Sequence, residues 1–317
     1  MNAITRAAVT LLAAAGLGLA VAPPAGAQDE APWTVAAAAN DFGADRDNYS
    51  YTADPGERID DGLVIANHGT APLDLAVYAA DAFTTGSGQL DLLAEDKPST
   101  GVGAWVHPGQ DHVTVQPGQT AAVPFTVTVP ADAAAGDHVG GILTSIVQGD
   151  VERRVGTRIR LRVGGDLRPG LTVENLDVRY AGTANPIGAG DATLAYTIRN
   201  SGNAVVTARQ SAEVTGPFGS WPAEAEPIPD SPPLLPGETW QVTASVHGAA
   251  PALYLAGTVT LVPLLTDAAG STAPLSGVDT TAHSLAVPWT AVLVIVLCVL
   301  LIVFLIARRR RKLAQAG

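Results

Sequence analysis

One run near the end of the chain constrains it more than any other feature. From Ala291 to Ala307 the sequence reads AVLVIVLCVLLIVFLIA, with no charge and no proline. Pro288, Trp289 and Thr290 precede it, and Arg308, Arg309, Arg310, Arg311 and Lys312 follow it. A bilayer core of about 30 Å takes about 20 apolar residues in a helix that rises about 1.5 Å per residue. Counted from Ala286, residues 286–307 meet that length and are expected to span a membrane, with Cys298 and Phe304 inside the span. Basic residues beside a span stay on the cytoplasmic side, and tryptophan favours the interface. Arg308 to Lys312 therefore mark residues 308–317 as a cytoplasmic basic tail, and Trp289 marks the outer boundary. The abrupt arginine block argues against the buried helix of a soluble protein.

The other end of the chain fits this topology. Arg6 is followed by an apolar stretch from Ala7 to Ala22, and Ala25-Gly26-Ala27 supplies the small-x-small pattern of signal peptidase. Residues 1–27 read as a signal peptide cleaved before Gln28. The expected product is a single-pass type I protein of the cell membrane with its N-terminal body outside. That body carries 12 basic and 30 acidic side chains, a net charge of −18, which excludes nucleic acid as a bulk electrostatic partner. The single cysteine, Cys298, lies inside the span, so the body has no disulfide and must rely on ordinary cores. Its length suits two domains of roughly 100–130 residues each.

Past Trp33 the pattern is that of strands and turns. Leu63-Val64-Ile65-Ala66 leads into Asn67-His68-Gly69-Thr70, after which Leu73, Leu75 and Val77 alternate with small or polar residues. Val123, Phe125, Val127 and Val129 alternate with Pro124, Thr126 and Thr128, and Ile159, Leu161 and Val163 with Arg158, Arg160 and Arg162. Period-two alternation in short segments joined by Gly, Pro and Asn turns predicts antiparallel β-sandwiches. Pro124 predicts an edge strand or a strand start, because proline cannot donate to a ladder. The second half repeats the first. LVIANHGTAPLDL aligns with YTIRNSGNAVVTA, and VQPGQTAAVPFTV with LLPGETWQVTASV, in the same order. The first half is longer between these landmarks, an insertion expected over Thr84 to Gly88 and Asp91 to Thr100. The fold class read from this is all-β: two tandem immunoglobulin-like sandwiches, residues 28–168 and 169–266, followed by a single C-terminal transmembrane helix. Gly164 to Gly170 reads as the linker. Gly216 to Pro236, with seven prolines, reads as a surface loop, and residues 267–285 as a stalk.

Signals of catalysis are poor: there is no GxSxG, no HExxH and no phosphate loop. His107, His112 and His138 lack a ligand spacing, and Asp41, Asp45, Asp47 and Asp54 lack the regular spacing of a calcium loop, so no metal and no cofactor are expected. Arg158, Arg160 and Arg162 would project from one face of a strand, a stripe suited to carboxylates or equally to a solvated face that discourages edge pairing. Trp105 and Trp240 lie on strand-like stretches, suited to stacking on a sugar or to a sandwich core. Gly140-Gly141 predicts a close backbone approach.

Two stretches carry a resemblance. YSYTADPGERIDDGLVIANHG and GAWVHPGQDHVTVQPGQTAAVPFTVTVPADAAAGDHVGGIL, with the order signal peptide, two immunoglobulin-like modules, span and basic tail, resemble the WxL-interacting protein family of Gram-positive bacteria. The Ala-rich, Cys-poor composition fits an actinobacterial-type member. The resemblance implies a peptidoglycan-binding first module, a second module that meets a WxL-type or other surface protein, and no catalytic residues. The expected function is that of a non-catalytic, membrane-anchored cell-surface protein binding peptidoglycan, another cell-wall polymer or surface protein partners, with Trp105, Arg158, Arg160 and Arg162 as candidate ligand-binding residues. The alternatives are a structural spacer or chaperone-like assembly module using β-strand addition, and a metal-dependent envelope enzyme.

Overall fold

A computed structural model describes residues 31–149, 151–185, 188–266 and 272–314. The expected signal peptide, residues 1–27, and the end of the tail, residues 315–317, lie outside the described residues. So do the side chains of Arg310, Arg311 and Lys312.

The alternating segments of the first half form ten strands around one core. They are β1 (Trp33–Ala37), β2 (Tyr49–Ala53), β3 (Arg58–Asn67), β4 (Leu73–Thr84), β5 (Leu90–Leu92), β6 (Val106–Pro108), β7 (His112–Val115), β8 (Thr120–Thr128), β9 (Gly136–Gln148) and β10 (Val151–Val163). A single-turn helix, α1 (Val102–Trp105), precedes β6. One sheet has the order β1-β3-β8-β6; the other has β2-β10-β9-β4, with β5 and β7 both on β4. All pairs are antiparallel except β2 with β10. Alternation places Leu63, Ile65, Leu75, Phe125, Ile159 and Leu161 between the sheets, where each is at most 2% exposed. Burying such a side chain contributes about 1.5–3 kcal/mol. Pro124 does not mark an edge, because β8 lies between β3 and β6; β6 is short and pairs only with Phe125 to Val127, so no ladder bond is demanded of the proline on that side.

The second half forms β11 (Leu171–Ala181), β12 (Gly190–Asn200), β13 (Val206–Thr215), β14 (Ala223–Glu224), β15 (Thr239–Ala249), β16 (Leu253–Thr266), β17 (Thr272–Pro274) and β18 (Val278–Ala286). The sheet β11-β12-β15 faces a sheet of order β14-β13-β16, with β17 and β18 both on the far side of β16. Leu194, Ile198, Val206, Leu234, Val259 and Leu261 fill this core. The expected surface loop after Gly216 is partly inward: Leu234 is fully buried and Ser231 and Leu235 nearly so. The expected stalk is also corrected over its described part, residues 272–285. β18 runs along β16 from Val278↔Leu261 to Ala286↔Leu253, so it is an edge strand of the second sandwich. Its residues are mostly small and polar because one face is solvated, and that composition also resembles a linker. The remainder, residues 267–271, lies outside the described residues.

One helix follows, α2 (Trp289–Ala314). Trp289–Arg309 is long and apolar enough to cross a membrane and is buried nowhere in the protein. Trp289, Cys298, Phe304, Arg308 and Arg309 are all exposed along it. The architecture is therefore two tandem immunoglobulin-like sandwiches and one C-terminal apolar helix.

Candidate functional site: an arginine-lined cleft between the modules

The sequence repeat has a physical counterpart in each module. Asn67 is 1% exposed; its amide donates to the carbonyls of Ala71 (2.9 Å) and Val115 (2.9 Å), and its Oδ1 accepts from Gly69 N (2.8 Å). Asn200, also 1% exposed, donates to Ala204 O (2.8 Å) and Leu234 O (2.9 Å) and accepts from Gly202 N (3.0 Å). The main chain of each asparagine also bonds the following Pro-Gly turn, through Gly118 and Gln119 in one case and Gly237 and Glu238 in the other. A buried asparagine that fills its bonding capacity fixes how two turns meet.

The second of these corners forms the joint with the first module. The end of β4 reaches across: Thr84 N and Thr84 Oγ1 donate to the Glu238 carboxylate at 2.7 and 2.5 Å, and Leu235 N donates to it at 3.0 Å. Asn203 donates through its amide to Ala135 O (2.9 Å) and Asp166 O (2.8 Å). Asp137 N donates to Asn203 O (2.7 Å), and Val205 N donates to the Asp137 carboxylate (2.9 Å). Gly136, with φ of +126°, sits where a Cβ would collide with the Asn203 carbonyl. Residue types alone did not single out these groups. The only signal was the Gln119 to Glu238 difference inside an otherwise repeated Pro-Gly turn.

Between the modules lies a cleft of about 420 Å³. One wall is the outer face of β2, β9 and β10, including Ser50, Thr52, Arg158, Arg160 and Arg162; the other includes Val205, Thr207, Pro233 and Leu235. Alternation explains the arginines, since Ile159, Leu161 and Val163 occupy the core face of the same strand. The three arginines have different roles. Arg162 pairs with Asp137, Nε to Oδ1 at 2.6 Å and the second guanidinium nitrogen to Oδ2 at 3.0 Å, so it belongs to the joint and is not a free ligand-binding residue. Arg158 and Arg160 make no hydrogen bond or ion pair among the described residues. Burial, and then the charge of Arg160, lower the pKa of the Arg158 guanidinium. Arginine stays charged in proteins. Asp137, also in the lining, neutralises Arg162, while no carboxylate among the described residues pairs with Arg158 or Arg160.

Trp105 is not part of this wall. It packs into the first core at 9% exposure, with its ring 4.7 Å from the His138 ring, and offers no open face for a sugar. His107, His112 and His138 do not converge; among the described residues no three His, Cys, Asp or Glu are placed to hold a metal. Of the acidic arm, Asp41, Asp45 and Asp47 form no such group either. Gly140 and Gly141 do allow a close approach, to Ala80 and Val102 and to Leu92.

The adjoining edge is open. β10 pairs with β9 along its whole length, but β2 covers only Ile159 to Val163. Among the described residues, Val151 to Arg158 thus have a strand on one side only. The hairpin tip carries the exposed Val147 and Val151, at 68% and 58%. A strand edge without a second strand is a template for an added one, and this one runs to Arg158, which lines the cleft.

No protein family matches the chain by sequence, and no curated protein does. Among solved structures it is similar to a chaperone–tip adhesin complex of CFA/I fimbriae biogenesis, at 10% identity and a TM-score of 0.38, over 79% of this chain and 98% of that one. The class 5 fimbriae chaperone CfaA gives 10% and 0.36 over 78% and 98%. The CupB2 chaperone of Pseudomonas aeruginosa gives 11% and 0.31 over 74% and 97%. No residue role is carried over from them.

Proposed function

We propose that this is a non-catalytic, membrane-anchored protein of the cell surface that binds an extended segment of a partner protein. The segment adds as a strand to the open edge of β10, and a carboxylate on it is held by Arg158 and Arg160. One observation carries this reading: Val151 to Arg158, which no second strand joins among the described residues, leads directly to Arg158 and Arg160, which have no ion-pair partner among them. Strand addition supplies main-chain hydrogen bonds that do not depend on sequence, and the arginine pair supplies direction and selectivity. With α2 as a type I span, the body stays outside the cell and the tether raises the effective concentration of a weak contact.

A second reading follows from the resemblance to the WxL-interacting family. The same arginines would take the peptide carboxylates of peptidoglycan. Trp105, the aromatic that would have stacked on its sugars, is in the core, which favours the protein partner.

The test uses the full chain. A photo-crosslinking residue at Glu152, exposed on the open edge, is expected to capture a polypeptide in intact envelopes. The capture should fall at least tenfold when Arg158 and Arg160 are both changed to alanine, since a charge-assisted pair contributes about 1.5–3 kcal/mol. Capture that the double substitution leaves untouched would sink the proposal. Co-sedimentation of the same two proteins with purified peptidoglycan addresses the second reading, which requires the wild type to sediment and the variant to stay in solution.

A further inference from the structure

We propose that the membrane-proximal base of the second module rests in the zwitterionic headgroup layer of the bilayer that α2 enters. The inference rests on α2 being a span. β18 ends at Ala286 and α2 begins at Trp289. Three residues of extended chain reach at most about 11 Å, and the headgroup layer is itself about 5–8 Å thick on each side. Even fully extended, the connection holds the base of the sandwich within a few ångströms of the headgroups. It is further fastened, because Trp289 N donates to Val287 O (2.9 Å), Val292 N to Pro288 O (3.0 Å), and Thr290 Oγ1 to Thr183 O (3.3 Å) on the loop between β11 and β12.

The surface so placed is apolar. Leu253 is 60% exposed, Leu285 76% and Trp289 75%, and Tyr254 lies directly opposite Leu285 in the β16–β18 ladder. Leu253 adopts φ of +64°, a left-handed conformation that strains a leucine. It follows the tight turn between β15 and β16, where Ala252 N donates to Ala250 O (2.8 Å), and it holds an apolar side chain out of the protein. At a bilayer interface it presents that side chain to lipid. Residues 249–257 and 280–290 contain no Asp, Glu, Lys or Arg, although the exported body has a net charge of −18. An uncharged, aromatic-containing face continuous with the span is suited to an interfacial layer, and the body's acidity disfavours anionic lipid as the surface it rests on.

The experiment reconstitutes the full chain in phosphatidylcholine bilayers, with and without bromine on the acyl chains. An environment-sensitive fluorophore is placed on one cysteine at a time. Native Cys298 reports the span. In a Cys298→Ser background, Leu253→Cys and Leu285→Cys report the base, and Val147→Cys reports the distant hairpin tip. The expected result is strong quenching at Cys298, blue-shifted and partly quenched emission at both base positions, and aqueous, unquenched emission at Val147→Cys. Aqueous emission at both base positions with Cys298 still quenched would overturn the proposal and leave the span intact. An unquenched Cys298 would overturn the span and the proposal together.

Discussion

The two modules solve the same corner with the same asparagine and then use it differently. Around Asn67 the Pro-Gly turn ends in Gln119, which is exposed, and His68 meets Thr34 (2.9 Å) on the same module. Around Asn200 the equivalent position is Glu238, whose carboxylate takes two bonds from Thr84 of the other module. One corner remains a free end, and the other has become a joint. The inner polar groups differ as well. The first module buries a charged cluster: Asp61 accepts from two nitrogens of Arg46 (2.7 and 2.9 Å), from Tyr51 (2.6 Å) and from Asn40 (2.6 Å). The second buries a neutral pair, Tyr196 donating to Gln210 at 2.7 Å, with the tyrosine pKa pushed up to about 12 by burial. A shared fold thus fixes the corner and leaves the charge free to vary.

The largest expected effect tests that charge difference. Asp61→Asn leaves the Arg46 guanidinium, 13% exposed, without its counter-charge, which typically costs about 3–5 kcal/mol. Denaturant unfolding should show the first module losing that stability while the second module's transition stays in place. Acid should do the same in the wild type. Burial works to raise the Asp61 pKa, but bonds from Arg46, Tyr51, Gly62 and Asn40 outweigh it, and the carboxyl titrates below its usual range. A depressed folded pKa gives stability that is present above the unfolded value, about 3.9, and lost as pH falls through the folded one. Below about pH 4 the first module should therefore loosen before the second. Simultaneous loss of both would erase the contrast.

Next come the shared asparagines. Asn67→Ala and Asn200→Ala each strand two buried carbonyls, at about 1–3 kcal/mol apiece. The two should destabilise their own modules equally. Only Asn200→Ala should also weaken the joint, read as a longer maximum dimension of the full chain by small-angle scattering.

These asparagines also show how far the residues alone could lead. Alternation with a period of two pointed to the strands, and the repeated Asn-x-Gly and Pro-Gly turns pointed to the match of one module with the other, because both are local patterns. The arginine stripe was visible for the same reason. That Arg162 belongs to Asp137 was not, since the pair depends on the β9–β10 register, a non-local property. Trp105 enters the core through a single turn of helix too short to leave a periodic signal. β18 resembled a stalk because its one inward face is built from Thr280, Ala282, Ser284 and Ala286. The joint itself was hidden in one letter, glutamate for glutamine.

That letter carries a smaller prediction. Glu238→Gln converts the second corner to the type of the first. It should cost about 1–2 kcal/mol of coupling between modules, since charge-assisted bonds from Thr84 become neutral ones. The reverse change, Gln119→Glu, should leave stability within about 0.5 kcal/mol, because Gln119 is exposed. Combining Glu238→Gln with Thr84→Val in a double-mutant cycle separates the coupling from any effect on the second module alone.

The weakest effect lies at the surface of the second module, where His247 is held between Asp191 (2.8 Å) and Glu226 (3.5 Å). The hydrogen bond and charge of Asp191, then Glu226, raise the histidine's pKa. A raised folded pKa gives stability that is fully present below the unfolded value, about 6.5, and is lost as pH rises through the folded one. The second module should therefore lose a little stability toward neutral pH, opposite in sign to the acid response of the first. All three groups are solvent-exposed, so the change should be small and screened by salt. Titration of the His247 ring by NMR, in wild type and Asp191→Asn, checks the direction: the variant's midpoint should fall. An unchanged midpoint would show that the pairing does not persist in solution, and the pH asymmetry between the modules would then rest on Asp61 alone.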